Sequence, residues 1–122
     1  MTPYYHALSS AKHHGGVAKD YLAIHEWFDE TKQYTGDWTH RALRHHAAGV
    51  EWCCQKFGST IRNADHKVVP VKLIAEQHVT EDCGFIPKVS DWLSIIGNAP
   101  SPWMLRVATK SKEVTLELEE SK

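Results

Sequence analysis

The order of apolar and polar positions divides the chain into helical stretches punctuated by glycine and proline. Tyr4, Leu8 and Ala11 recur at helical spacing in PYYHALSSAKHH, which predicts a first helix over residues 3–14 that Gly15-Gly16 stops. Ala18, Tyr21, Ile24 and Phe28, with Trp27 beside them, mark one face of a second helix over about 17–33, closed near Gly36. Asp37 suits the N-cap of a third and longest helix, Trp38 to about Phe57, with Leu43, Val50, Cys54 and Phe57 as its inward stripe and Gly58 as its end. Gly49 in its interior costs about 1 kcal/mol relative to alanine, a penalty that close approach of another backbone would explain.

The period then changes. STIRN and KVV, on either side of Ala64-Asp65-His66, read as a short β-hairpin over roughly 59–69. Pro70 fits the first turn of a fourth helix, VKLIAEQHVTED, ended by Cys83-Gly84, although the strand has the option of running on to Leu73. Ser90 caps a fifth, short helix, DWLSIIG, with Trp92, Leu93 and Ile96 turned inward. The expected fold is mainly α: about five helices packed as one small histidine-rich domain over residues 1–106, with the hairpin between the third and fourth. In the charged segment 107–122 only Val114, Leu116 and Leu118 alternate, and an extended or flexible tail is expected there rather than an edge strand.

Composition adds exclusions. The 122 residues are 42% hydrophobic and 24% charged, ordinary values for one globular domain rather than a repeat or disordered chain. A net charge of −1 gives no overall field toward nucleic acid or anionic lipid, and Lys12, Arg41 and Arg44 are interleaved with acids, so nucleic acid is not the expected partner. No apolar run reaches the ~18 residues of a membrane span, nor does the start look like a signal peptide, and a cytoplasmic location is expected. Cys53, Cys54 and Cys83 lack the Cys-x-x-Cys spacing of a zinc grip and read as free thiols.

The informative residues are the nine histidines. HRALRHH, residues 40–46, is not a self-contained metal site: His40 and His45 are five apart, and His45 and His46 diverge by about 100° on a helix. His46 lies near the stripe of Leu43 and Val50 and should point toward the core, as a backbone-bonded imidazole or as a ligand. His40 falls in line with Arg44 and should be wet. Better geometry occurs twice: His25 with Asp29 in HEWFD, and His78 with Asp82 in HVTED, stand four apart on expected helices, so each pair presents one nitrogen and one oxygen on one side. His78 also aligns with Val71 and Ile74, which puts it on an otherwise apolar face where it needs a partner.

Two outcomes are open at this point: a buried network of His, Asp and Arg without metal, or a divalent transition metal (zinc, iron, manganese or nickel) held by His25, Asp29, His78 and Asp82, with His46 or else His45 filling out the shell. In the second case Arg41 and Arg44 would hold an anion and His45 would complete the catalytic set, which points to hydrolysis of a phosphorylated or nucleotide-like small molecule. No His-Glu-x-x-His, His-Asp dipeptide, Walker loop or Gly-x-Ser-x-Gly elbow supports a familiar enzyme class. The alternative is a non-enzymatic accessory protein that binds and inhibits a host protein through aromatic surface. Five tryptophans permit this, and Trp103 is the least explained by a helix core.

HALSS, WFDETK, HRALRHH, VPVK, EQHVTEDCGFIP and DWL, in this order, resemble a family of small uncharacterised proteins of bacteria and their phages, over about residues 5–105. HRALRHH and EQHVTED are the most specific parts. The resemblance implies an intracellular accessory protein and assigns no catalytic residue.

Overall fold

A computed structural model describes residues 1–96 and 100–106. The order is α1 (Pro3–His14), α2 (Lys19–Asp29), α3 (Lys32–Thr35), a 3-10 turn (Trp38–His40), α4 (Arg41–Arg44), α5 (Ala47–Phe57), β1 (Thr60–Arg62), β2 (Val68–Pro70), α6 (Val71–Cys83), α7 (Val89–Leu93) and a second 3-10 turn (Ser94–Ile96). The protein is thus mainly helical, with one antiparallel hairpin that pairs Thr60 with Pro70, Ile61 with Val69 and Arg62 with Val68. Pro70 ends the strand, and α6 begins at the next residue, which settles the boundary short of Leu73. The segment 107–122, Gly97 and the side chain of Ile96 lie outside the described residues.

α1 packs on α2, α5 on α6, and both α1 and α2 reach α6. The apolar core between them is Tyr21, Ile24, Phe28, Val50, Cys53, Val69, Val71, Ile74, Ala75 and Val79. Each fully buried aliphatic or aromatic side chain there contributes about 1.5–3 kcal/mol. The face expected for α2 is therefore the observed one. Burial pushes the Cys53 thiol up to about 12, with the neighbouring Cys54 adding to the shift, so it stays a neutral core group.

Three expectations fail, each for a physical reason. The inward face of α1 is His6, Ala7 and Ser10, while Tyr4 is 55% and Leu8 41% exposed; of the expected stripe only Ala11 packs against the apolar core, beside Ala7, and the helix otherwise covers a polar layer. The third helix is not continuous. His45 (φ −85°, ψ 68°) and the extended His46 (φ −162°, ψ 174°) break it, and the Ala47 N–H donates to the Pro87 carbonyl at 2.8 Å. A Cβ on Gly49 would stand 1.7 Å from the Arg44 carbonyl oxygen, so the break needs glycine at that position. Leu43, on the far side of the break, is 49% exposed. In α7 the N-cap is Lys88, whose N–H donates to Asp91 Oδ2 at 2.8 Å, so Ser90 falls inside the helix, and Leu93 is exposed.

Candidate metal centre

The polar layer beneath α1 holds four histidines that are completely buried: His6, His25, His45 and His78. Three elements bring two of them together with two carboxylates. α6 supplies His78 and Asp82 one turn apart, α2 ends on Asp29, and the break after α4 turns His45 inward. His78 Nε2 lies 3.1 Å from His45 Nε2, 3.2 Å from Asp82 Oδ2 and 3.4 Å from Asp29 Oδ1. His45 Nε2 lies 3.0 Å from Asp82 Oδ2 and 3.4 Å from Asp29 Oδ1.

Proton bookkeeping shows what these atoms lack. The Ser10 hydroxyl donates to Gln77 Oε1 at 2.9 Å and accepts from His25 Nε2–H at 2.7 Å, which leaves His25 Nδ1 as a lone pair. That lone pair accepts from His78 Nδ1–H at 2.9 Å, so His78 Nε2 turns its own lone pair on the cluster. Asp29 Oδ1 and Asp82 Oδ2 are acceptors too. Three acceptors thus converge with at most one ring proton from His45 and one from His40, whose Nε2 lies 3.1 Å from Asp29 Oδ1, to share among them. A divalent cation answers this donor set and also balances the two carboxylates.

The spacing fits an ion as well. Ligands about 2.0–2.2 Å from one metal are separated by about 3.3–3.6 Å on a tetrahedron and about 2.8–3.1 Å between adjacent octahedral positions. The five contacts above, 3.0 to 3.4 Å, fall across that span. His78 has the second-layer support that metal-bound imidazoles usually receive, here from His25. His45 Nδ1 is buried without a hydrogen-bond partner among the described residues; its backbone is held instead, by Trp92 Nε1–H donating to the His45 carbonyl at 2.8 Å.

The surrounding charges follow from the same contacts. Burial would raise Asp82, but hydrogen bonds from His45 and His6 hold it far below the usual carboxylate range. Asp29 behaves alike: burial is outweighed by hydrogen bonds from His45 and His40. His25 is lowered to about 2 by burial and by the neighbouring His78 and His6, and so remains neutral. His6 and His45 are raised despite burial, His6 by Asp82 and Glu81 and His45 by Asp29 and Asp82. His6 Nδ1 donates to Glu81 Oε1 at 2.8 Å and Nε2 faces Asp82 Oδ1 at 3.1 Å, so His6 braces the outer oxygen of Asp82.

The fold therefore gathers Asp29, His45, His78 and Asp82, and sets His25 behind them on the far nitrogen of His78. His46 is elsewhere. Its Nδ1 accepts from the Gly49 N–H at 2.9 Å and its Nε2–H donates to the Leu43 carbonyl at 3.1 Å, so it caps α5, its ring edge-on to Trp52. Arg44 is also engaged outside the cluster: its Nη1 donates to the Trp27 carbonyl at 2.7 Å and its guanidinium lies 4.3 Å over the Trp27 ring. Arg41 reaches the site, and its Nε is buried with no hydrogen-bond partner among the described residues.

His6, His40 and Glu81 complete the surroundings, although none of the three was expected among the site residues. His40 is 5% exposed rather than wet, donating from Nδ1 to the Asp37 carbonyl at 2.7 Å with Nε2 3.1 Å from Asp29 Oδ1. Apolar periodicity does not reveal a helix face that is buried and polar. The one signal was local: His6 and Ser10 stand four apart on α1.

Two clefts open onto the centre. One, of about 360 Å³, is lined by Asp29, Lys32, His40, Arg41 and Asp82. The other, of about 370 Å³, is lined by Arg41, Asp82, Phe85, Pro87, Asp91 and Trp92, among others. A second histidine group, His6, His25 and His78, also has nitrogens close enough to share an ion, but it is completely buried. No helix among the described residues is long and apolar enough to cross a membrane.

A family model described as "Domain of unknown function (DUF6915)" matches residues 1–104. No curated protein and no solved structure matches the chain.

Proposed function

The chain belongs to the DUF6915 family over residues 1–104; on the geometry of its buried His/Asp cluster we propose that it is a metal-dependent hydrolase of a small anionic substrate, with one divalent transition ion held by Asp29, His45, His78 and Asp82. The observation that carries this reading is the set of five ligand-to-ligand contacts between 3.0 and 3.4 Å, made by four groups from three parts of the fold with too few protons to satisfy one another. Mixed nitrogen and oxygen donors suit zinc, iron, manganese or nickel rather than calcium.

An ion of this kind supplies polarisation of a water or of a substrate oxygen. The protein does the rest. Asp29 and Asp82 share the wall of the first cleft with Lys32 and Arg41, so an anion entering it arrives beside the ligands with two basic side chains to hold it. His25 fixes the ring of His78, and Trp92 fixes the backbone of His45.

Elemental analysis of the purified protein tests the centre: about one equivalent of a transition metal is expected, lost in His78→Ala. Metal-free protein whose thermal stability ignores chelators would overturn it. Metal-dependent release from a chromogenic aryl phosphate tests the hydrolytic half; loaded protein inert toward phosphoesters would remove that half and leave a metal-binding domain.

A further inference from the structure

The two clefts differ in character yet share Arg41 and Asp82. The first brings Lys32, His40 and Arg41 to the carboxylates and suits a compact anion. The second is walled by Phe85, Pro87, Trp92 and Ile95. Phe85 and Ile95 are exposed at its mouth, while Trp92 is half-buried with its indole N–H tied to the His45 carbonyl at 2.8 Å. An aromatic platform is therefore anchored to a residue of the metal cluster, and the arginine shared by both clefts has a buried Nε that no described residue engages.

These features constrain a ligand at both ends. One end is a dianion small enough for the first cleft, where Lys32 and Arg41 stand beside the metal ligands. The other is flat and apolar enough for Trp92 and Phe85, and uncharged, because Asp91 stands in that cleft and repels a second acidic group. The two ends must also be joined closely, since the clefts meet at Arg41. Resting on the metal-centre reading above, we infer that the site takes nucleoside monophosphates, with the phosphate between Arg41 and Lys32 beside the metal and the base on Trp92 and Phe85. A sugar phosphate fills only the first cleft. An extended polyphosphate finds Asp91 in its path.

Calorimetric titration of the purified, metal-analysed protein with the common nucleoside monophosphates, ribose 5-phosphate and inorganic phosphate tests the inference. At least one nucleotide should bind about tenfold or more tightly than ribose 5-phosphate, the increment that stacking of one base supplies. Phe85→Ala, a change at an exposed side chain, and Trp92→Ala should each reduce that ratio toward one. Arg41→Ala should weaken nucleotide and ribose 5-phosphate by the same factor. Equal affinity for every nucleotide and for ribose 5-phosphate, or a preference that survives both aromatic substitutions, overturns the inference. Metal content is read separately on the same samples, so loss of the centre and loss of base recognition are distinguishable.

Discussion

α2 and α6 carry the same short pattern, His-x-x-x-Asp, with opposite results. On α6 both members reach the cluster, His78 Nε2 lying 3.2 Å from Asp82 Oδ2. On α2 only Asp29 does, while His25 contacts the other nitrogen of His78 and passes its own proton to Ser10. Spacing of four puts two side chains on one face, but the neighbours on that face decide which atoms converge. α1 packs on α2 with Ser10 buried beside His25, which draws the His25 ring away from the centre and makes it a support.

The sharpest way to break the comparison is to remove one histidine at a time. His78→Ala deletes a ligand, opens a cavity and leaves Asp29 and Asp82 buried with less compensation. It should lose the metal and about 3–5 kcal/mol of stability, read by elemental analysis and denaturant unfolding. Retained stoichiometric metal would contradict the arrangement.

Gly49→Ala attacks the same centre without touching a ligand. The added methyl meets the Arg44 carbonyl, so the turn that aims His45 has to shift. A loss of about 3 kcal/mol is expected, together with weaker metal binding. A variant as stable as the parent would show that the turn has another way to close.

Much of this was legible beforehand and some was not, for reasons that individual residues make plain. The apolar face of α2 and the hairpin follow from periodicity because they face an apolar core. Asp29, His78 and Asp82 follow from spacing together with the apolar line of Val71, Ile74 and His78. The His45–His46 break does not, since its cause is a contact between Arg44 and Gly49 that spacing hides; only the cost of a mid-helix glycine hinted at it. His6 and Ser10 were obscured because polar residues line the buried side of α1, and a search for apolar stripes selects Tyr4 and Leu8 instead.

His25→Leu should have a smaller effect than His78→Ala. It removes the acceptor that orients His78, so metal affinity should fall about 10–100-fold while one equivalent still binds at saturation. It also carries a pH signature in the chelated protein. The folded-state value of about 2 lies below the ordinary 6.5, so the unfolded chain takes up this proton first and stability declines as pH falls from about 6.5. Subtracting the variant's stability profile from that of the parent should isolate this decline; parallel profiles would mean that His25 is not buried neutral. His6 and His45, raised by their carboxylates, act in the opposite sense and appear in both profiles.

The smallest effect should come from His46, the neighbour that points elsewhere. Its work is to accept the Gly49 N–H at the start of α5, and an N-cap of this kind contributes about 1 kcal/mol. His46→Ala should lower stability by roughly that amount and leave metal content unchanged, while His46→Asn, which restores a capping acceptor, should recover part of the loss. Because His45 and His46 are adjacent, any general disturbance of the turn would lower metal binding in both variants. Full metal occupancy in a destabilised His46→Ala, and rescue by asparagine, would separate the cap from the cluster; loss of metal with the fold intact would place His46 among the groups that hold the ion.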